Sequence, residues 1–215
     1  MPARAKKAVS PDKGRKAAYV LRNREALLRS TQEVLAVKGH AVTIEDIADH
    51  AQVAVSTIYK HFADKEALIS ATMLWGFAEW MTKVQSLGDD LTDPLEKLVL
   101  PMRLFVRAKS THPHHARNIV NFLEITTQFL PILDSGLSQH IEELTKAKLL
   151  TCDDPDVAAR NIHAVLFATI VNQVTNQKAK VEDADASIRV ALSMVGISET
   201  KARKLTESKL PEIKG

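Results

Sequence analysis

Residues 44–68 read IEDIADHAQVAVSTIYKHFADKEAL. Two short helical patterns meet here around a break, and a third begins behind them. Ile44, Ile47, Ala48 and Ala51 recur at the three-to-four spacing of one buried helical face. Thr43 precedes them with a hydroxyl able to cap the first amides, and Asp46, three residues on, completes a capping-box pattern. The break is Ala51-Gln52-Val53. A second helix is expected over about 55–62, with Ile58 and Phe62 as its buried anchors beside Val53. Asp64 then caps a fourth helix, expected over about 65–86.

This spacing suits a helix-turn-helix. A major groove about 12 Å wide admits one helix. The first helix of such a pair crosses the backbone, and the second turns its early residues to the base edges. Here the second helix offers Val55, Ser56 and Thr57 near its start, then Tyr59, Lys60 and His61 as donors for phosphate. Lys65 places a positive charge beside the N-terminal amides of the next helix, and Thr43 stands at another helix start. Thr43 is expected to present its hydroxyl or its backbone amide to phosphate. These eight residues are the expected DNA-binding set. Gln52 and Ala54 are the weak points. If the backbone at Gln52 is left-handed, a side chain there costs about 1 kcal/mol. Ala54 gives the reading helix no capping hydroxyl, which costs about as much again.

The chain around this unit predicts helices throughout. A first helix is expected over about 16–38, carried by Leu21, Leu27, Leu28, Thr31, Val34 and Leu35, with Gly39 as a left-handed stop. Asp93-Pro94 and Asp154-Pro155 each place a capping carboxylate before a proline at the first helical position. Helices follow over about 94–110, 113–128, 131–150, 155–178 and 183–196, and the polar segment from Ser198 is expected to fray. Pro101 lies inside the first of these and should bend or break it, which either opens a cavity or improves packing.

Composition sets outer bounds. The 215 residues are 45% hydrophobic, enough for a sizeable core, and contain only 7 Gly and 8 Pro. No run approaches the roughly 18–20 apolar residues of a membrane span. The basic N-terminus has no apolar segment behind it, so it does not read as a secretory signal. Cys152 is the one cysteine and suits a reducing compartment, and a cytoplasmic location is expected. The net charge of +3 is uneven. Residues 1–24 carry Arg4, Lys6, Lys7, Lys13, Arg15, Lys16, Arg22 and Arg24 against Asp12, a local +7 that leaves −4 on the remainder. A basic end on a slightly acidic body points to a polyanionic partner.

With these residues in place, the segment from about 22 to 70 resembles the N-terminal domain of the tetracycline-repressor (TetR) family of bacterial transcription regulators. The likeness rests on Ala36 and Gly39, on Thr43-Ile44-Glu45-Asp46-Ile47-Ala48, on Val53, on Ser56-Thr57-Ile58-Tyr59, on His61-Phe62, and on Asp64-Lys65-Glu66-Ala67-Leu68. It covers roughly a quarter of the chain. Gln52 departs from the family's usual glycine, and Ala54 from its frequent Ser or Thr. Val55 and Ser56 replace a polar-glycine pair, so base preference should differ from that of familiar members. The resemblance implies an all-α protein with an N-terminal three-helix DNA-binding domain and a C-terminal helical bundle for effector binding and dimerisation. It implies Ser56, Thr57, Tyr59 and Lys60 in or beside the groove, and Thr43, His61 and Lys65 on the backbone. The expected division is a disordered basic arm over 1–14, the helix-turn-helix domain over 15–64, the effector and dimerisation domain over 65–197, and a polar tail over 198–215.

The expected function is a ligand-responsive homodimeric repressor on a (pseudo)palindromic operator in double-stranded DNA, released by a small apolar or amphipathic effector. No cofactor or membrane partner is expected. Helices 155–178 and 183–196 are expected to form the dimer, and an apolar pocket is expected among Met102, Phe105, Asn121, Phe122, His163, Phe167 and Asn172. Alternatives remain at this point. The chain could be a non-specific architectural DNA-binding protein, or a regulator whose C-terminal domain takes a protein. His112, His114 and His115 could serve a metal-binding or enzymatic domain. No phosphate-cradling glycine loop, G-x-S-x-G elbow or H-E-x-x-H motif occurs, so no enzyme is expected.

Overall fold

The computed structural model describes residues 11–210, with side chains from residue 21 onward. Every regular element among them is helical. The first, α1 (Pro11–Lys38), buries Leu27, Leu28, Thr31, Val34 and Leu35 along one stripe. The Thr31 hydroxyl donates to the Leu27 carbonyl, so the stripe carries no unmet polar group. Gly39 ends the helix at φ +55°, a conformation that glycine adopts at no steric cost. A single 3-10 turn, Gly39–Ala41, leads to α2 (Ile44–Ala51), α3 (Val55–Tyr59) and the long α4 (Lys65–Asp89).

These elements share one core. Val42, Ile44, Ile47, Ala48, Ile58 and Phe62 meet the α1 stripe and Leu68, Ile69 and Met73 of α4. A helix as short as α3 does not hold itself together in water. Ile58 is fully buried, which contributes about 1.5–3 kcal/mol. Phe62 packs just beyond the helix end, with the Arg24 guanidinium 5.3 Å above its ring.

The second body is built from α5 (Pro94–Val106), α6 (Ala108–Thr111), α7 (Pro113–Asn121), α8 (Leu123–Thr126), α9 (Leu130–Lys146), α10 (Pro155–Thr175), α11 (Val181–Ser193) and α12 (Glu199–Glu207). Its main core joins Leu95, Leu98, Val99 and Met102 of α5 with Ala159, Ile162 and Leu166 of α10 and Ile188 and Leu192 of α11. Both Asp-Pro pairs act as read. Asp93 accepts from the Leu95 amide and Asp154 from the Val157 amide.

Several expectations change. Pro11 to Gly14, assigned to a disordered arm, lie in the helical backbone of α1, while residues 1–10 are outside the described residues. Leu21 is exposed rather than part of the stripe. The reading helix stops at Tyr59, so Phe62 anchors a turn. The polar tail is not frayed over Glu199–Glu207. There α12 buries Ala202, Leu205 and Thr206, a small apolar face hidden in a charged sequence. The buried Arg103 of α5 holds its end, donating to the carbonyls of Leu205 and Ser208 and to the Ser208 hydroxyl. The segment 94–110 divides at Arg107, and 113–128 divides at Phe122. Pro101 does not break α5, which continues through it. The cut expected at residue 64 is not sharp either. The first turns of α4 belong to the N-terminal core, and so does Phe122 from the second body.

Candidate functional site

The turn between α2 and α3 follows from backbone accounting. Thr43 Oγ accepts from the Asp46 amide at 3.1 Å, and the Asp46 carboxylate accepts from the Thr43 amide at 3.0 Å. This is the full capping box. Lys38 donates to Asp46 at 2.5 Å, and that bond, with the one from the Thr43 amide, lowers the Asp46 carboxyl to about 2. The Thr43 amide is therefore occupied, contrary to the reading that left it for phosphate, and only its hydroxyl remains to donate.

At the other end of α2, the Val53 amide donates to the Ala48 carbonyl and the Gln52 amide to that of Asp49. These two bonds close a Schellman motif. Gln52 occupies its left-handed position at φ 54°, ψ 43°. The side chain of Gln52 points to solvent and supplies no compensating bond among the described residues. Replacing Gln52 with Gly should stabilise the protein by about 1 kcal/mol, the excess cost of a Cβ in this conformation. Chemical denaturation checks this, and an unchanged or lower midpoint would show that the turn carries no such strain. Ala54 starts α3 without a side-chain cap, as its sequence requires.

The turn leaves α3 with two unlike sides. Ile58 is buried, while Val55 and Thr57 are half-buried. Ser56, Tyr59, Lys60 and His61 are exposed together. Lys65 Nζ donates to the Val42 carbonyl at 3.3 Å, which brings the start of α4 next to Thr43 at the start of α2. Thr43, Lys65 and the exposed end of α3 form a polar and basic surface on one domain.

The second site is a cavity of about 480 Å³ among α4, α5, α7, α9 and α10. Met102, Phe105, His163 and Phe167 line it. Phe105 packs against Phe167 at 5.2 Å and edge-on to Trp80 at 6.1 Å. Pro101 lines the same space. His163 is held by Asp134, with 2.5 Å between Nδ1 and the carboxylate.

Three residues expected in this lining lie elsewhere. Phe122 is 1% exposed in the N-terminal core, its ring 4.6 Å from that of His40. Asn121 donates to the Leu35 carbonyl of α1. Asn121 ends α7 and Phe122 follows it, on the side that faces α1, while Ile119 faces the cavity. Asn172 is exposed in the last turn of α10 and bonds Asn176. The sequence reading also missed Met73, Phe77, Phe129, His115 and His140, all lining residues. Met73, Phe77 and Trp80 sit four and three residues apart on α4, the one periodic signal available, and core packing produces the same pattern.

The histidine cluster separates. His114 is exposed, His112 lies 3.5 Å from Lys83, and His115 turns inward to the cavity. Among the described residues no three His, Cys, Asp or Glu side chains are grouped to hold a metal. Burial, reinforced by His112, lowers His115 to about 4. Burial also lowers His112 and His140. No helix of the described residues is long and apolar enough to cross a membrane.

Fold and surface together define a helix-turn-helix domain joined to a helical bundle that encloses an apolar cavity. Residues 27–72 match the model of the tetR family of bacterial regulatory proteins. A transcriptional repressor, KstR2 of Mycobacterium tuberculosis, is 32% identical over 108 residues, covering 49% of this chain and 52% of the relative. KstR2 of Mycolicibacterium smegmatis is 36% identical over 77 residues, covering 35% and 37%. The chain thus spans about half the length of the curated relatives it matches, at most. Among solved structures, RolR with resorcinol superposes with a TM-score of 0.71 at 22% identity, covering 92% of this chain and all of RolR. FadR of Bacillus subtilis with stearoyl-CoA gives 0.64 at 20% identity, covering 80% and 98%. At these identities the superpositions establish a shared fold.

Proposed function

We propose that the protein is a homodimeric, ligand-responsive transcriptional repressor that binds a (pseudo)palindromic DNA operator and works in the cytoplasm. The observation that carries this reading is the exposed row Ser56, Tyr59, Lys60 and His61 on a helix anchored by Ile58, inside a segment that matches a DNA-binding family. Ser56 and Thr57, with Val55, would meet base edges. Tyr59, Lys60, His61, Lys65 and the Thr43 hydroxyl would hold phosphates. Arg4, Lys6 and Lys7 of the basic end would add phosphate or minor-groove contacts.

The cavity supports the second half of the reading. Its volume suits a small molecule, and its walls are chiefly apolar. Ligand binding would favour a dimer whose reading helices no longer match successive major grooves. The dimer itself would form through α10 and α11, which leave Val157, Ala164, Ala168 and Val190 exposed, with Met194 exposed just past α11. The three histidines lie in different surroundings, which weighs against their sharing one metal.

Binding to fragments of the protein's own upstream region tests the proposal. One site should bind about 10³-fold or more tighter than random DNA. Equal binding to all fragments would favour an architectural protein instead. Lys65→Ala and Tyr59→Phe should weaken binding on every sequence, and Lys65→Ala should lower the salt slope by about 1. Thr57→Ala should change preference among sites. Uniform loss from all three would contradict these roles.

A further inference from the structure

The polar side chains of the cavity are few: Trp80, His115, Thr126, His140 and His163. No Lys, Arg, Asp or Glu lines it. The Thr126 hydroxyl donates to the Phe122 carbonyl at 3.0 Å, and Nδ1 of His163 is taken by Asp134. A ligand carboxylate or phosphate enclosed here would lose its water without gaining a cationic partner, and the nearby Asp134 would repel it.

His115 is different because it touches two places at once. It lines the cavity from α7, and its Nδ1 lies 3.4 Å from Gln32 Nε2 on α1, a helix of the DNA-binding domain. An amide NH2 can only donate, so Nδ1 accepts and the ring proton of the neutral imidazole sits on Nε2. Nε2 makes no hydrogen bond among the described residues. Burial keeps the ring neutral, so that proton is available to an acceptor.

Gly76 makes room for this contact. A Cβ at that position would lie 2.7 Å from Gln32 Nε2 and 3.3 Å from His115 Nδ1. Glycine within a helix costs about 0.5–1 kcal/mol relative to alanine, so here the close approach is what it serves. The other ties between α7 and α1 are Asn118 to the Gln32 carbonyl at 2.8 Å and Asn121 to the Leu35 carbonyl. Neither asparagine lines the cavity.

We infer that the cavity takes an uncharged, largely apolar ligand whose carbonyl or hydroxyl oxygen accepts from Nε2 of His115, and that His115 transmits this bond to α1 through Gln32. The inference deepens the proposed repressor and rests on it only for the link to DNA. It makes His115 the residue that selects an oxygen-bearing neutral ligand. It makes Gln32 a positioning residue that holds the His115 ring with Nε2 as donor and carries the ligand's effect to α1.

Three matched probes test it by calorimetry on the full chain: 2-acetylnaphthalene, the oxygen-free 2-isopropenylnaphthalene, and 2-naphthoate. The ketone should bind about tenfold more tightly than the hydrocarbon, the size of one neutral hydrogen bond. It should exceed the naphthoate by at least about tenfold. His115→Phe should abolish the ketone's advantage while the hydrocarbon still binds. His115→Gln, which keeps an N–H donor, should restore part of it and covers the case in which the phenylalanine variant misfolds. Gln32→Ala should still bind the ketone, with its preference over the hydrocarbon reduced, yet at saturating ketone the ligand should no longer lower its DNA affinity. Tightest binding by naphthoate, a ketone preference that survives His115→Phe, or no probe binding would overturn the ligand class. Unchanged linkage to DNA in Gln32→Ala would overturn the transmission. If the protein lacks specific DNA binding before any probe is added, the repressor reading fails instead, and the His115 comparisons still decide the ligand.

Discussion

Replacing Phe122 with Ala should cost about 3–5 kcal/mol, the range for removing a buried aromatic ring. The ring is 1% exposed and packs in the core made by α1, α2, α3 and the start of α4. Phe122 itself comes from the break between α7 and α8, in the other body. Its loss therefore leaves a cavity at the joint between the two. Against a total of about 5–15 kcal/mol, this is a large share of the stability. For a chain of this length it corresponds to a fall of about 6–20 °C in Tm. Denaturant unfolding measures the loss directly. A cost under about 1 kcal/mol, with ligand affinity lost instead, would return Phe122 to the cavity lining where its sequence had suggested it belongs. Phe167→Ala is the natural contrast. It removes a ring that already borders open space, so stability should fall less and binding of an apolar probe more.

That contrast shows where the sequence was informative. The helix-turn-helix was legible because its constraints are local. A cap, an apolar stripe and a row of polar residues all lie within one short segment, so their spacing can be read from residues 43–68. The anomaly at Gln52 was legible only as a condition, since the sequence left the backbone there open, and the structure meets it with φ 54°. The cavity was only half legible. Met102, Phe105, His163 and Phe167 line it, but Phe122 does not, and nothing in its own neighbourhood distinguishes it from them. Which side of α7 faces α1 depends on Gln32, Leu35 and His40, about eighty residues earlier in the chain. The same long-range dependence hid α12, whose face is apolar only in partnership with α5 and α11.

The second large effect is expected on the outer faces of α10 and α11. Val157, Val190 and Met194 are 41%, 56% and 40% exposed, and Ala164 and Ala168 are exposed with them. Single exposed apolar residues are ordinary. Here valines and alanines are exposed on two helices that pack together, with the methionine just past the second. A two-fold axis would press this surface against its own copy, so each substitution is introduced twice in one interface. Ala168→Glu combined with Val190→Glu would then enclose four like charges without partners, and breaking pairing in this way costs several kcal/mol. Both positions face water in the single chain, so each subunit should keep its helical content and its melting behaviour at low concentration. Sedimentation should show a monomer in place of a dimer. DNA affinity should fall about 10²–10⁴-fold, because each reading helix would then bind alone rather than at the effective concentration set by its twin. A double variant that remains dimeric would place the interface elsewhere. A monomer with undiminished operator affinity would remove the need for two reading helices, and with it the expectation of a palindromic site.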